Sequence, residues 1–155
     1  GKQLGGHYIY KWFDKVAVDS DTRSELNFSI YRMPDVMLMY AEASNRAEGS
    51  PNQLAKDVVN EIRARATLAP IGNLNSEAFE REVWNQRYFE LSFEGKIWFD
   101  MVRTRKVRND ITKQYDDFIG HRNVFGATFQ ERNLLFPIPL REIQTNPILT
   151  QNTGF

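Results

Sequence analysis

Eighteen residues, QRYFELSFEGKIWFDMVR (86–103), carry five aromatic rings among six charged side chains. Two carboxylates in an aromatic setting are what a glycoside hydrolase uses, one as acid and one as nucleophile. Glu90 and Glu94 are the candidates. On a helix, however, Arg87, Glu90 and Glu94 fall at i, i+3 and i+7 and share one face. Glycosidase carboxylates flank the substrate from opposite sides, whereas two on one face point the same way. The favoured reading is therefore a half-buried charge network that fixes helix packing, with Asp100 and Arg103 repeating the spacing downstream. Three other features suggest chemistry and fall short of it. DSDTRSE begins like a calcium loop at Asp19, Asp21 and Glu25, but Arg23 takes the fifth position and no closing Gly or Glu follows. RTRKVR (103–108) could touch phosphates, yet at a helix C-terminus its cations answer the helix dipole. His7 and His121 stand far apart with no cysteine in the chain, so neither a metal site nor a catalytic triad is expected.

The elements that position these residues read as mainly helical. Pro34 and Asp35 suit the first turn of a helix near 34–48, which Gly49-Ser50-Pro51 ends. Ala55, Val58, Val59, Ile62 and Ala66 form one apolar stripe on a second helix near 53–66, so the two make an antiparallel hairpin. Ser76 reads as the N-cap of a third helix, near 77–94, with Phe79 and Val83 along its buried side. A shorter helix is expected near 97–105. Helical hairpins thus recur at tetratricopeptide-like spacing, without that repeat's own signature. The aromatic and β-branched alternation in residues 8–18 suggests a strand, and 107–155 reads as irregular chain. In the closing stretch, Pro137 and Pro139 favour an extended path. Leu140 and Ile143 suit one helical turn closed by Asn146-Pro147, and the tail's apolar side chains are expected to pack on the helices.

Composition narrows the function. The 155 residues suit a single domain: a lead-in over 1–30, helix pairs over 31–106 and a C-terminal wrap over 107–155. With 20 basic and 20 acidic residues, nothing points to nucleic acid. No apolar run is long enough to insert directly in a membrane. The chain's 11 Phe, 6 Tyr and 3 Trp make either a large core or a stacking surface. The best stretch for stacking is HYIYKWFDK, where Tyr8, Tyr10 and Trp12, spaced by two, would share a strand face.

YRMPDVMLMYAEASN, VVNEIRARA, ELSFEGKIWFDMVR and LFPIPLREIQTNPILTQNTGF occur in that order. Together they resemble the C-terminal part of the SusD/RagB family: a Tyr-Ala-Glu-Ala helix, an Asn-x-Ile-Arg-x-Arg-Ala helix, a Glu-Leu-x-Phe-Glu-Gly turn before Trp-x-Asp, and a Pro-Ile-Pro to Gln-Asn finish. The resemblance implies a fold of tetratricopeptide-like (SusD-like) helix pairs with long irregular segments and little strand. It implies a non-catalytic, cofactor-free protein, lipid-anchored at the outer-membrane surface, that binds glycan and passes it to a TonB-dependent SusC-like transporter. Glu42, Arg63, Arg65, Arg87, Glu90, Glu94, Asp100 and Arg103 match recurrent charged positions and are expected to tie helix pairs together. The rings of Tyr88, Phe89, Phe93, Trp98 and Phe99 are expected to fill the space between. Gln86 and Ile97 stand where the family often has Glu and Arg, so a neutral contact is expected there. Thr153 and Phe155 replace the family's usual Pro and Tyr. Two other classes of function stand beside this one: a protein-interaction scaffold with a concave apolar groove, and a hydrolase with Glu90 and Glu94 exposed in a cleft.

Overall fold

The computed structural model describes residues 9–20 and 23–155. The sequence suggests one domain, and the chain separates into two compact units, residues 1–32 and 33–155.

In the first unit, the expected strand is replaced by a 3-10 turn, Tyr10–Trp12, and a short helix α1, Lys15–Ser20. Asp14 explains the change. Its Oδ1 accepts from the backbone N–H groups of Val16 and Ala17 at 3.0 and 3.1 Å, which caps the start of α1. Alternation of ring and β-branched residues cannot make a strand where none of the described residues offers a pairing partner.

The second unit holds α2 (Met33–Glu48), α3 (Gln53–Arg65), α4 (Ser76–Glu90) and α5 (Ile97–Thr104). All four lie close to their expected positions. Helix α2 packs on both α3 and α4. Their apolar stripes meet in a core of Leu38, Ala41, Ala55, Val59, Ile62, Phe79 and Val83. Left-handed Gly49 stops α2, a backbone state that glycine enters without a Cβ penalty. Asn52 caps α3 by accepting from Ala55 N at 2.8 Å. Helix α4 is capped by Asn75 rather than Ser76: its Oδ1 accepts from Ala78 N at 2.8 Å.

Helix α4 ends at Glu90, four residues short of its expected end. The chain turns through 91–95, with Phe93 and Gly95 both at positive φ. Glu94 therefore sits in the turn, not on the helix face of Arg87 and Glu90. Beyond α5, strands β1 (Lys106–Arg108) and β2 (Tyr115–Asp117) pair antiparallel, with Arg108 opposite Tyr115. Behind them Phe118 stacks on Phe129 at 4.6 Å, and Trp98 meets both rings edge-on.

The tail is ordered differently from its expectation. Its one helical turn, α6 (Leu140–Thr145), is present and Asn146 closes it. Leu140, Ile148 and Phe155 nevertheless stay exposed. Order comes instead from side-chain hydrogen bonds to backbone. Gln151 accepts from Ile138 N at 2.8 Å and donates to Ile138 O at 2.9 Å, while Asn152 Nδ2 donates to Phe136 O at 2.7 Å. Among the described residues, no helix is long and apolar enough to cross a membrane.

Candidate functional site

One run of ion pairs crosses the helices of the second unit. Lys96 contacts Asp35 at 3.3 Å, and Asp35 receives Arg87 Nη1 at 2.9 Å. Arg87 Nε also donates to Asp100 at 2.8 Å, and Asp100 receives Arg103 Nε at 2.8 Å. Arg103 then grips Glu42 with both terminal nitrogens at 2.7 Å, a bidentate fork. Burial by itself would raise the Glu42 carboxyl, but Arg103's hydrogen bonds and charge outweigh it and hold it below its ordinary range. Glu42 in turn pushes the Arg103 guanidinium further up. Trp84 lies near enough to Glu42 to assist, though its indole N–H stops short of a hydrogen bond. Helices α2, α4 and α5 are thereby tied at fixed spacing. Asp35, read from sequence as a helix-dipole residue, turns out to be a hub of this network.

Arg63 pairs with Glu82 and Arg65 with Glu90, apart from that run. Gln86, where a neutral contact is expected, donates to Glu82 at 2.8 Å. Glu90 and Glu94 are only 9% and 5% exposed. A hydrolase needs both carboxylates open to substrate and water, so this burial opposes the hydrolase reading. The rings depart from expectation: Phe89, Phe93 and Phe99 are about three-fifths exposed. Only part of the opening stretch is core.

Tyr88 instead faces a cavity of about 400 Å³ between α4, α5 and the β1–β2 hairpin. Trp84, Tyr115 and Phe129 supply further aromatic walls, with Met101, Val107 and Ile111 beside them. Trp84 and Tyr115 meet edge-to-face at 5.3 Å. Arg108, its side chain only 8% exposed, bonds Asp110 at 2.5 Å and Asn85 Oδ1 at 3.3 Å. Its guanidinium also lies 5.2 Å from the centre of the Tyr88 ring and 4.9 Å from that of Phe89. Tyr88 donates to Asp110 at 3.1 Å, and Tyr115 to Asn85 Oδ1 at 3.3 Å. Burial, then Asp110, raises the Tyr88 phenol above its ordinary range. Burial above all keeps the Tyr115 phenol protonated far higher still. Both are neutral hydrogen-bond donors at physiological pH. His121, which also lines the cavity, meets Asp116 through Nδ1 at 3.0 Å. Bonds from Asn109 and His121 lower the Asp116 carboxyl. Among the described residues, no cluster of three or more His, Asp or Glu could hold a metal ion.

The residues singled out for stacking lie elsewhere. Tyr8 falls outside the described residues. Tyr10 is 80% exposed and stacks on Phe13, while Trp12 stacks on Phe28 at 4.9 Å. In the 3-10 turn the positions that align are i and i+3, so Tyr10 faces Phe13 rather than Trp12. Of the calcium-loop-like stretch set aside on its sequence, Asp21 is likewise outside the described residues.

The cavity residues Trp84, Asp110 and Tyr115 escaped sequence reasoning because they come from α4, the hairpin turn and β2; Arg108, expected in a basic cluster at a helix C-terminus, lies instead on β1, since α5 ends at Thr104. A usable signal was present in KVRNDITKQYDD: Asn109-Asp110 is turn chemistry between two short β-compatible runs.

The sequence matches the SusD family over residues 1–155. A SusD-like protein of Formosa agariphila, P38, is 32% identical over 145 residues, 88% of this chain and 26% of that protein. Another from the same organism, P25, is 27% identical over 87% of this chain and 26% of its own length. A crystal structure of a SusD superfamily protein from Parabacteroides distasonis is 57% identical and superposes with a TM-score of 0.94, covering 97% of this chain and 32% of that one. A SusD homologue from Bacteroides thetaiotaomicron, at 23% identity and a TM-score of 0.66, bears on the fold alone. This chain thus spans about a quarter to a third of the length of these relatives. Its helix-pair fold and its matching sequence lead to the same result: the chain belongs to the SusD family.

Proposed function

We propose that this chain is part of a non-catalytic, cofactor-free glycan-binding protein at the outer-membrane surface, lipid-anchored as a whole, which passes oligosaccharide to a SusC-like TonB-dependent transporter. The observation that carries this reading is the family match over residues 1–155. The buried state of Glu90 and Glu94 supports the non-catalytic half. An aromatic-walled cavity with a few polar groups supports the binding half. The exposed ring of Tyr10 offers a second stacking surface; Tyr8 and Trp12 are proposed as further stacking residues, Trp12 beside Phe28 rather than on one face with Tyr10. A protein-scaffold reading draws on a different face: Val36, Met39 and Tyr40 of α2 are exposed on the side away from the core.

Isothermal titration of this chain, and of a longer chain containing it, against a panel of oligosaccharides tests the proposal. Saturable binding with no change in the sugar's anomeric NMR signals is expected. Hydrolysis of the bound glycan, or the absence of any binding by the longer chain, refutes it.

A further inference from the structure

We infer that the cavity between α4, α5 and the β1–β2 hairpin is a subsite for a single neutral sugar ring, whose adjacent hydroxyls are read by Asp110 and Arg108. The inference rests on the glycan-binding reading and deepens it. At about 400 Å³ the cavity lies near the lower end of the volumes that hold small ligands. It suits one ring at the end of a glycan rather than an extended chain.

The walls and the polar edge match the two sides of a sugar. A pyranose has an apolar C–H face and a rim of hydroxyls. Tyr88, Trp84 and Tyr115 offer rings to the face. At the rim, each hydroxyl both donates and accepts, so it is best met by a donor and an acceptor side by side. Arg108 and Asp110, 2.5 Å apart, provide that pair. Arg108 spends its Nε–H on Asn85 and one Nη1–H on Asp110. Three of its five N–H groups are left over. Asp110 accepts from Arg108 and Tyr88 and retains lone pairs, with its side chain 54% exposed. Arg108 is preorganised for the role, being 8% exposed and held against two aromatic rings, so little side-chain entropy is lost on binding.

Charge selects the ligand class. Arg108 is neutralised by Asp110, and Lys106 by Asp117 at 2.5 Å. Arg87 is tied to Asp35 and Asp100. Arg122 also lines the cavity, its Nε–H given to the Gly126 carbonyl at 3.1 Å, so the neutral class is set at the Arg108–Asp110 rim: there a carboxylate or phosphate would have to approach Asp110, and a cation would have to approach Arg108. A polyhydroxylated neutral molecule meets neither repulsion.

The test is titration of the chain with methyl glycosides of glucose, galactose and mannose, their disaccharides, and glucuronate, while the Trp84 indole N–H signal is followed by NMR. At least one neutral sugar is expected to shift that signal and to bind at least fivefold more tightly than glucuronate. Asp110→Ala should weaken binding tenfold or more. Because Asp110 also holds Arg108, a second variant is needed: Ile111→Trp, at a 92% exposed position, should block the cavity and leave the melting temperature unchanged. Tyr10→Ala, in the other unit, should have no effect on this binding. If sugar binding survives both cavity variants and is lost with Tyr10→Ala, this subsite is wrong while glycan binding stands. A preference for glucuronate overturns the neutral class. If no sugar binds this chain or a longer chain containing it, the glycan reading fails and the subsite fails with it.

Discussion

Replacing Arg87 by Met would remove the centre of the charge run while keeping an unbranched apolar stem in place. Arg87 is 6% exposed and Asp35 2%, so their bond is made well away from water. The substitution deletes two charge-assisted hydrogen bonds, at 2.9 and 2.8 Å. Each such bond contributes about 1.5–3 kcal/mol, which gives about 3–6 kcal/mol for the pair. Neither carboxylate is fully abandoned, since Lys96 remains 3.3 Å from Asp35 and Arg103 remains 2.8 Å from Asp100. The lower part of the range applies, about 3–4 kcal/mol, which agrees with the cost of breaking buried pairs. Against a total stability of about 5–15 kcal/mol, the variant still folds but melts about 10 °C lower. Urea unfolding followed by circular dichroism should show a lower midpoint at unchanged slope. Adding Asp35→Leu should recover part of the loss, with a coupling of about 1 kcal/mol or more. A loss under about 1 kcal/mol for the single variant, or strict additivity in the double, would show that the network is ornamental to stability.

Acid should loosen the α2–α5 junction. The Glu42 carboxyl is held below its ordinary value of 4.5, so the unfolded chain takes up the proton first. This contribution is complete above that value and is lost as pH falls through the folded-state value. Unfolding midpoints across the acid range should show it, and Glu42→Gln should flatten that dependence; an unaltered slope would contradict the assignment. Glu90→Gln, which weakens the pairing with Arg65, should cost about 1–3 kcal/mol of stability and leave sugar binding unchanged. The discovery of a glycosidase activity that this variant abolishes would reverse the structural reading. Gln151→Ala removes both bonds to Ile138 and should speed exchange of the Ile138 amide, with little change in the global melting curve. Persistent protection of that amide would mean that the tail is held by something else.

Local rules were enough to locate the helices of the second unit. Apolar periodicity in 53–66, the Gly49-Ser50-Pro51 stop and the charged face of Arg87 and Glu90 are properties of short segments, and they survive in the folded chain. Motifs spread along residues 31–155 carried the family resemblance for the same reason: each is a local requirement of a helix, a turn or a cap. The first misreading, at residues 8–18, was also local, because the Asp14 cap outweighs ring alternation once no strand is there to pair with. The other differences are tertiary. Whether Glu94 lies on a helix or in a turn depends on two left-handed residues, one of them Phe93, which no propensity would place there. Asp35 becomes a buried hub only because Arg87, fifty-two positions away, reaches it across the α2–α4 contact. The cavity exists only where α4, α5 and the hairpin meet, so Trp84, Arg108 and Tyr115 have no common signature along the chain. Spacing in a sequence fixes which side chains share a face; which faces then meet, and what space is left between them, is decided by packing.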